Sequence, residues 1–153
     1  IILIIGECGV GKTWVMKNLL KETKGFKLGL YYFNENKKNI IVGKYDNSIF
    51  EGSDKLSMSV MIDLDKMLAY IKKSKKIAVF EGDRFMNGNF IKKCNPYIVK
   101  INGDGAGGRL KRGSNQTERQ LKTIKTRVKN ITPNIEVKNS NECLKIIKEY
   151  GNN

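Results

Sequence analysis

Short apolar runs alternate along the chain with segments in which apolar residues recur every three or four positions. Two apolar runs, at residues 1–5 and 77–80, predict strands that are buried in a parallel sheet, and a third strand is predicted after Pro96, at residues 97–101. A last short strand is predicted at residues 135–137. Because helical segments separate these strands, the order of elements predicts an α/β domain with three layers and a mainly parallel sheet.

Helices are predicted where apolar spacings of three and four recur. The first covers residues 12–23, with Val15, Met16, Leu19 and Leu20 on its apolar face. The second runs over residues 58–73, and its apolar positions are Met58, Met61, Ile62, Leu64, Leu68 and Ile71. Shorter helices are predicted at residues 86–93 and 142–150. Residues 26–45 alternate loosely, which predicts a β-hairpin or two short strands.

The stretch GECGVGKT, residues 6–13, joins the first predicted strand to the first helix and fits the pattern G-x-x-x-x-G-K-[S/T]. In this pattern glycines let backbone N–H groups turn toward a phosphate, the lysine reaches the β- and γ-phosphates, and the Ser or Thr hydroxyl ligates magnesium. The motif therefore predicts a nucleoside triphosphate site with Mg²⁺. Its predicted contacts are Gly6, Glu7, Cys8, Gly9, Val10, Gly11, Lys12 and Thr13. Cys8 is interpreted as a small filler rather than a reactive thiol.

Two carboxylates and an arginine follow the strand at residues 77–80, in the stretch IAVFEGDRF. A carboxylate at the tip of a strand beside the glycine-rich loop can hold magnesium. Glu81 and Asp83 are two residues apart and would point to one side if the strand continued. We predict them as the metal and substrate carboxylates, without dividing the two roles, and Arg84 as a phosphate contact. The alternative is a strand that simply leaves the core on polar residues.

Residues 103–130 combine a glycine-rich stretch, NGDGAGG, with a strongly basic one. From residue 109 to residue 129 there are eight basic residues and one acidic residue. The apolar positions Leu121, Ile124, Val128 and Ile131 predict a helix with one apolar stripe. A flexible hinge followed by cations predicts a lid that closes over ATP, with Arg109, Arg112 and Arg119 near the β- and γ-phosphates. A solvated amphipathic helix is the alternative, and we favour it for Lys122, Lys125 and Lys129.

The stretch GKYDNSIFEGSDKLSM, residues 43–58, lies between the first predicted helix and the second buried strand, where kinases with a glycine-rich phosphate-binding loop bind the phosphate acceptor. Asp54 is a candidate for the carboxylate that takes a proton from a neutral hydroxyl acceptor, and Asp46 is a weaker one. Turn and helix-capping roles stay open for both residues.

Composition adds a large positive charge, formally +14 over 153 residues. Clustered cations favour an anionic partner such as DNA, although much of the lysine would also suit a solvated surface. Of the 29 basic residues, five are arginine: Arg84, Arg109, Arg112, Arg119 and Arg127. Four of the five fall in one stretch, which indicates bidentate phosphate contacts rather than plain charge.

The length fits one domain, and no apolar run reaches the roughly 18 to 20 residues needed to cross a bilayer. Cys8, Cys94 and Cys143 are widely spaced and histidine is absent, which disfavours disulfides and structural zinc. We therefore expect a soluble, cytoplasmic protein without a membrane partner; composition leaves its oligomeric state open.

Four stretches together resemble phage-encoded P-loop kinases of thymidine hypermodification, the 5-hydroxymethyluracil DNA kinases: GECGVGKT, GSDKLSM, EGDRF and RLKRGSNQTERQLKTIKTRVKNI. The chain is more distantly similar to nucleoside monophosphate kinases. The resemblance spans most of the chain up to residue 131. It implies a P-loop NTPase fold of the nucleotide-kinase type, with residues 1–153 as a single kinase domain and a lid at residues 103–130.

By this resemblance ATP would phosphorylate the hydroxymethyl group of a modified base within DNA, in the host cytoplasm if the chain is phage-encoded. Residues 6–13 would bind ATP and Mg²⁺, the acceptor would meet Asp54, and Arg109 and Arg112 would belong to the lid. The candidate catalytic residues are Lys12, Asp54, Glu81, Asp83, Arg84, Arg109 and Arg112.

Two other functions are weighed against this one. A nucleoside monophosphate kinase needs arginines for the acceptor phosphate, and no arginine precedes residue 77, although Arg84 is available. A nucleotide-binding switch would carry an N-K-x-D motif, which is absent, and a motor ATPase would need further elements for which there is little room. A base flipped out of DNA would need an aromatic platform. The candidates are Tyr31, Tyr32, Phe33, Tyr45 and Phe50, with packing in the core of the hairpin as the favoured alternative for several of them.

Overall fold

The computed structural model describes residues 1–47, 51–150 and 152. Within them the strands are β1 (Ile2–Ile5), β2 (Lys24–Leu28), β3 (Tyr31–Glu35), β4 (Asn39–Val42), β5 (Ile77–Glu81), β6 (Tyr97–Ile101) and β7 (Ile135–Val137). The α-helices are α1 (Lys12–Asn18), α2 (Leu64–Ser74), α3 (Gly88–Cys94), α4 (Ala106–Arg112), α5 (Glu118–Asn130) and α6 (Ser140–Tyr150). Short 3-10 turns lie at Ser53–Lys55, Val60–Asp63 and Asp83–Phe85.

All seven strands belong to one sheet, in the spatial order β2-β3-β4-β5-β1-β6-β7. The five strands from β4 to β7 in this order are parallel, and β3 runs antiparallel to both of its neighbours, β2 and β4. The mainly parallel α/β sheet predicted from the sequence is therefore confirmed. The hairpin predicted at residues 26–45 is incomplete, because this region forms three strands. Ile40, Ile41 and Val42 are all fully buried since β4 is an interior strand between β3 and β5.

Two apolar clusters lie on opposite faces of the sheet. Leu3 and Ile5 of β1 belong to the first cluster, and Ile2 and Ile4 belong to the second. Helices α2, α3 and α5 contribute Leu64, Phe90 and Val128 to the first cluster. Helices α1 and α6 contribute Met16 and Ile147 to the second. The predicted three layers are thus present, with helices on both faces of the sheet.

Two predicted helices have different bounds in the structure. Helix α1 ends at Asn18 instead of residue 23, and the chain then turns through Glu22, which has a left-handed φ of 58°. Helix α2 begins at Leu64 instead of residue 58, and both Met58 and Ile62 are 79% exposed. The apolar stripe begins instead at Val60, because the 3-10 turn before α2 brings that residue onto the core face.

The basic region forms two helices rather than one. The NGDGAGG stretch was predicted as a flexible loop, but its second half begins α4. Helix α5 starts with a capping box between Thr117 and Gln120, which satisfies two backbone N–H groups at its first turn. Ile124, Val128 and Ile131 pack against the first cluster, which confirms three of the four positions of the predicted apolar stripe; Leu121 is not among the residues of that cluster.

Helix α3 begins two residues later than predicted because the Asn87 side chain accepts a hydrogen bond from Phe90 N at 2.8 Å. The three cysteines are free thiols. No helix in residues 1–47, 51–150 and 152 has both the length and the apolar character that crossing a membrane requires.

Candidate functional site

A cleft of about 990 Å³ opens at the carboxyl ends of the central strands. Strand β1 leads into α1 on one face of the sheet, whereas its neighbour β5 leads into α3 on the opposite face. Ligands of open α/β sheets bind where neighbouring strands lead to opposite faces in this way. The topology alone therefore marks the end of β1 as a binding site.

The glycine-rich loop, residues 6–11, connects β1 to α1 and curls around the Lys12 side chain. Lys12 Nζ donates hydrogen bonds to the carbonyl oxygens of Gly6 at 2.8 Å and Glu7 at 2.9 Å. Gly9 and Gly11 have left-handed φ angles of 89° and 102°, which other residues adopt at a cost. Burial lowers the pKa of the Lys12 ammonium, while Glu81 opposes that shift. The loop thus holds one cation at the start of a helix.

Helix α4 rests on this loop with backbone against backbone. A Cβ atom on Gly108 would lie 1.9 Å from the Gly9 carbonyl oxygen, and one on Gly105 would lie 1.8 Å from that of Cys8. Arg109 Nη1 donates to the Cys8 carbonyl oxygen at 2.8 Å. Arg109 therefore fixes the loop in this structure, and its predicted phosphate contact stays a prediction.

Replacing Gly108 by alanine is expected to lower the melting temperature, and replacing Gly107 to leave it unchanged or raise it. Alanine stabilises a helix interior by about 0.5–1 kcal/mol relative to glycine. At position 107 a new Cβ meets nothing within 4 Å, so this gain stands alone. At position 108 the clash with Gly9 costs about 1–3 kcal/mol. Thermal unfolding of both variants measures the difference, and equal shifts would contradict the packing of α4 on the loop.

The surroundings of Cys8 fit its interpretation as a small packing residue of the loop rather than a reactive thiol. Its Sγ accepts a weak hydrogen bond from Gln116 Nε2 at 3.5 Å, and the residue is half-buried. Burial raises the pKa of the Cys8 thiol, with Lys12 and Arg112 opposing the shift. A thiol with a raised pKa is a poor nucleophile at neutral pH.

Glu81 is the buried carboxylate of the cleft, with 4% of its surface exposed. It ends β5 directly beside Ile4 of β1, and its Oε1 accepts a hydrogen bond from Tyr45 Oη at 3.4 Å. Burial raises the pKa of Glu81 to about 7, against the attraction of the Lys12 ammonium. The side chain is therefore partly protonated near neutral pH unless a cation binds beside it.

The free energy of unfolding is expected to depend on pH through Glu81. Because its folded pKa of about 7 exceeds the ordinary 4.5, the folded state binds more protons and stability falls as pH rises through 7. Glu81→Gln removes this contribution, so the stability difference between wild type and variant should change by about 2–3 kcal/mol between about pH 5 and 8. Denaturant unfolding in the presence of a chelator measures it.

Glu136→Gln is the control for that experiment. Asn102 and Lys100 lower the pKa of the exposed Glu136 carboxyl, so this group stays ionised over the whole range. Its stability difference from wild type is expected to stay constant over the same range of pH. Parallel curves for Glu81→Gln and wild type would show that Glu81 is not protonated in the folded protein.

Asp83 does not continue the strand with Glu81. Gly82 has a φ of 90°, and Asp83 begins a 3-10 turn in which its Oδ1 pairs with Arg127 Nη1 of α5. The premise that both carboxylates point to one side of a continuing strand is therefore wrong, although both line the cleft. The described residues contain no group of three or more acidic or cysteine side chains able to hold a metal. Magnesium bound here would need the Thr13 hydroxyl and phosphate oxygens as further ligands.

The two aspartates proposed as proton acceptors are separated by the structure. Asp54 lines the cleft on the Ser53–Lys55 turn, whereas Asp46 lies outside it, with Oδ2 at 3.7 Å from Lys55 Nζ. Desolvation raises the pKa of Asp54, and the nearby cations Arg84 and Lys12 oppose the shift. Arg84 Nε is buried and has no hydrogen-bond partner among the described residues. An anionic ligand would satisfy this guanidinium.

Sequence reasoning missed several individual residues of the cleft, among them Trp14, Lys17, Asn47 and Glu51. Glu51 is only 8% exposed, and Lys17 Nζ donates to its Oε1 at 2.9 Å and to Asn47 Oδ1 at 2.7 Å. These contacts cross 30 or more positions of sequence, so no local pattern reveals them. The one available signal was a tryptophan directly after the GKT of the motif, at an exposed helix position.

Most of the proposed stacking aromatics are unavailable. Tyr31 and Phe33 are core residues with 0% and 2% of their surfaces exposed. Tyr45 is half-buried and hydrogen-bonded to Glu81. The ring of Tyr32 has lysine ammonium groups 5.2 Å from its centroid, from Lys27 and Lys44. Phe50 lies outside the described residues.

The cleft nevertheless gathers most of the predicted site. The predicted residues that line it are Cys8, Gly9, Gly11, Lys12, Thr13, Asp54, Glu81, Asp83, Arg84, Arg112 and Arg119. Gly6 and Glu7 lie behind it and accept the Lys12 hydrogen bonds, and Val10 packs against the second apolar cluster. No family model, curated protein or solved structure matches this chain.

Proposed function

We propose that this protein is an ATP-dependent phosphotransferase with a P-loop NTPase fold. The observation that carries the proposal is the convergence of Lys12, Arg112 and Asp54 on one cleft at the end of β1. Phosphoryl transfer needs positioning and compensation of negative charge more than it needs covalent chemistry. A lysine enclosed by a glycine-rich loop, an arginine in the same cleft and a carboxylate for the acceptor meet those needs.

Each residue has a stated part in the reaction. Lys12 binds the β- and γ-phosphates, and Arg112 of the α4–α5 lid neutralises charge on the transferred phosphoryl group. Asp54 orients the acceptor hydroxyl and takes its proton, while the hydroxyl oxygen bonds to the γ-phosphorus and the bond to ADP breaks. Magnesium supplies further charge compensation when bound, and Thr13, Glu81 and Asp83 are the residues that would hold it.

For the acceptor we propose the hydroxymethyl group of 5-hydroxymethyluracil in DNA, modified in the cytoplasm. The formal charge of +14 suits a polyanionic substrate, and the resemblance of four stretches to the 5-hydroxymethyluracil DNA kinases supports the same acceptor. A carboxylate at position 54 suits a neutral hydroxyl acceptor better than a phosphate, which it would repel. One observation favours a nucleoside monophosphate kinase instead, because the unpartnered Nε of Arg84 would pair well with an acceptor phosphate.

A transfer assay with γ-labelled ATP and magnesium separates these functions. Three acceptors are offered in parallel: duplex DNA with 5-hydroxymethyluracil, unmodified DNA with free 5′-hydroxyls, and a mixture of deoxynucleoside monophosphates. Label that stays in the modified DNA after its ends are removed supports the proposal. Label transferred to the monophosphates alone would make this a nucleotide kinase. Release of labelled inorganic phosphate with every acceptor would make it an ATPase.

A further inference from the structure

One wall of the cleft is built from helix α1 and the loop that follows β4. Trp14 and Lys17 are three residues apart on α1, so they share one helix face. Lys17 Nζ bridges from that face to Asn47 Oδ1 and Glu51 Oε1 at 2.7 and 2.9 Å. All four side chains line the cleft, and we call them the acceptor wall.

Trp14 gives this wall a flat aromatic surface. Its neighbours Val15 and Met16 are fully buried in the second cluster, whereas 43% of Trp14 is exposed, at the cleft. A large ring left exposed in a cleft is suited to stacking, and nucleobases stack on aromatic side chains whatever their sequence. Because Trp14 directly follows Thr13, a base stacked on it would lie beside the proposed phosphate site.

The Glu51 carboxylate gives the same wall a free hydrogen-bond acceptor, because one of its two oxygens has no donor among the described residues. The residue is 8% exposed, Lys17 occupies Oε1, and Oε2 is buried with no partner among the described residues. A buried acceptor left unpaired is destabilising, and a ligand N–H that pairs with it removes this cost. The Lys17 ammonium balances the charge of the carboxylate and holds it in place.

We propose that the acceptor wall is the subsite for the acceptor base, which stacks on Trp14 and donates its ring N–H to Glu51 Oε2. The inference rests on the proposed function, because it takes the acceptor to be a nucleobase. In a 5-hydroxymethyluracil nucleotide the only ring N–H is at N3. Methylation of N3 removes that donor and leaves the ring, its charge and its hydroxymethyl group in place.

Trp14 is the single tryptophan of the chain, so intrinsic fluorescence reports on this wall directly. The probe is a trinucleotide with one central 5-hydroxymethyluracil, and its N3-methyl counterpart is the matched control. We expect the first to quench Trp14 and to bind about tenfold more tightly than the second, since a lost hydrogen bond to a buried charged acceptor is worth about that factor. Equal affinities would overturn the inference.

Two variants refine the test. Glu51→Gln keeps the size of the side chain and removes its charge, and the preference for the N3–H probe is expected to drop to about threefold or less. A purely structural role for Glu51 would instead weaken both probes equally. By calorimetry Trp14→Phe should bind the probe almost as well as wild type, whereas Trp14→Ala should bind it about tenfold more weakly or worse.

The remaining outcomes separate this inference from the proposed function. Quenching by ATP alone, with competition between ATP and the trinucleotide, would assign the wall to the adenine of the donor and overturn the inference. Quenching by the trinucleotide without any label transfer would show that the wall binds a base but would overturn the kinase, and with it the assignment of that base as the acceptor. Label transfer with unchanged Trp14 fluorescence would support the kinase and overturn the inference.

Discussion

Lys12→Ala is expected to abolish phosphoryl transfer to every acceptor, with a loss of about a thousandfold or more in the single-turnover rate. The Lys12 ammonium is held by the carbonyl oxygens of Gly6 and Glu7 at the start of α1, where the proposed β- and γ-phosphates would lie. Removing it takes the nearest positive charge away from the reacting group. The rate is measured with labelled ATP, and nucleotide affinity is measured separately on the same variant.

Lys145→Ala is the matched control for Lys12→Ala. Lys145 is an exposed lysine of α6 that lies outside the cleft and pairs with Glu149 at 3.9 Å. Its removal lowers the net charge by the same amount and is expected to leave the rate unchanged. Thermal unfolding shows whether each variant is folded, because the loop loses two hydrogen bonds with Lys12. Full activity in folded Lys12→Ala would overturn the kinase proposal.

The central strands were predictable because burial on both faces leaves a continuous apolar run. Strands β1 and β5, neighbours at the centre of the sheet, carry such runs. Strand β6 lies on the other side of β1 and has Lys100 within its run, and all three strands were predicted to within one residue. Strand β2 was missed as a separate strand because it is an edge strand, and its first four residues are exposed. An exposed edge carries no hydrophobic alternation, so only its pairing with β3 defines it.

The start of α2 shows a different limit. Met58 and Ile62 are four residues apart, which fits a helical spacing, yet the chain enters α2 through a tighter 3-10 turn that puts Val60 in the core. Spacing alone does not distinguish a helix from a turn that leads into one. Starting the predicted helix at residue 58 therefore placed the exposed side chains of Met58 and Ile62 on its core face.

At the candidate site, too, local features were predictable and long-range contacts were not. The glycine-rich loop was predictable because its glycines, lysine and threonine are consecutive in the sequence. The contacts of Gly108 with Gly9, of Arg127 with Asp83 and of Lys17 with Glu51 join segments that are far apart in sequence. Their existence depends on where the sheet order places those segments, and one sequence does not encode that in any local pattern.

Arg112→Ala is expected to lower kcat by about a hundredfold, while the Kd for ATP changes by about fivefold or less. Arg112 ends α4, and the contacts of Gly105 and Gly108 with the glycine-rich loop fix that helix against the proposed phosphate site. An exposed guanidinium adds little to ground-state binding because water screens it. Its effect is larger in the transition state, because negative charge on the transferred phosphoryl group is compensated at the moment of transfer.

Lys125→Ala separates this local role from the overall charge of the basic helices. Lys125 is an exposed cation of α5 that does not line the cleft, so its loss is expected to leave kcat within about twofold if only position matters. Steady-state kinetics at low and high salt, with ATP affinity measured by calorimetry, compares the two variants. Equal losses in both would mean that α4 and α5 act through their general positive field. If kcat falls only in Arg112→Ala, and the fall persists at high salt, the guanidinium acts directly at the reacting phosphate. A surface charge that acted through the general field would lose its effect at high ionic strength, because salt screens it.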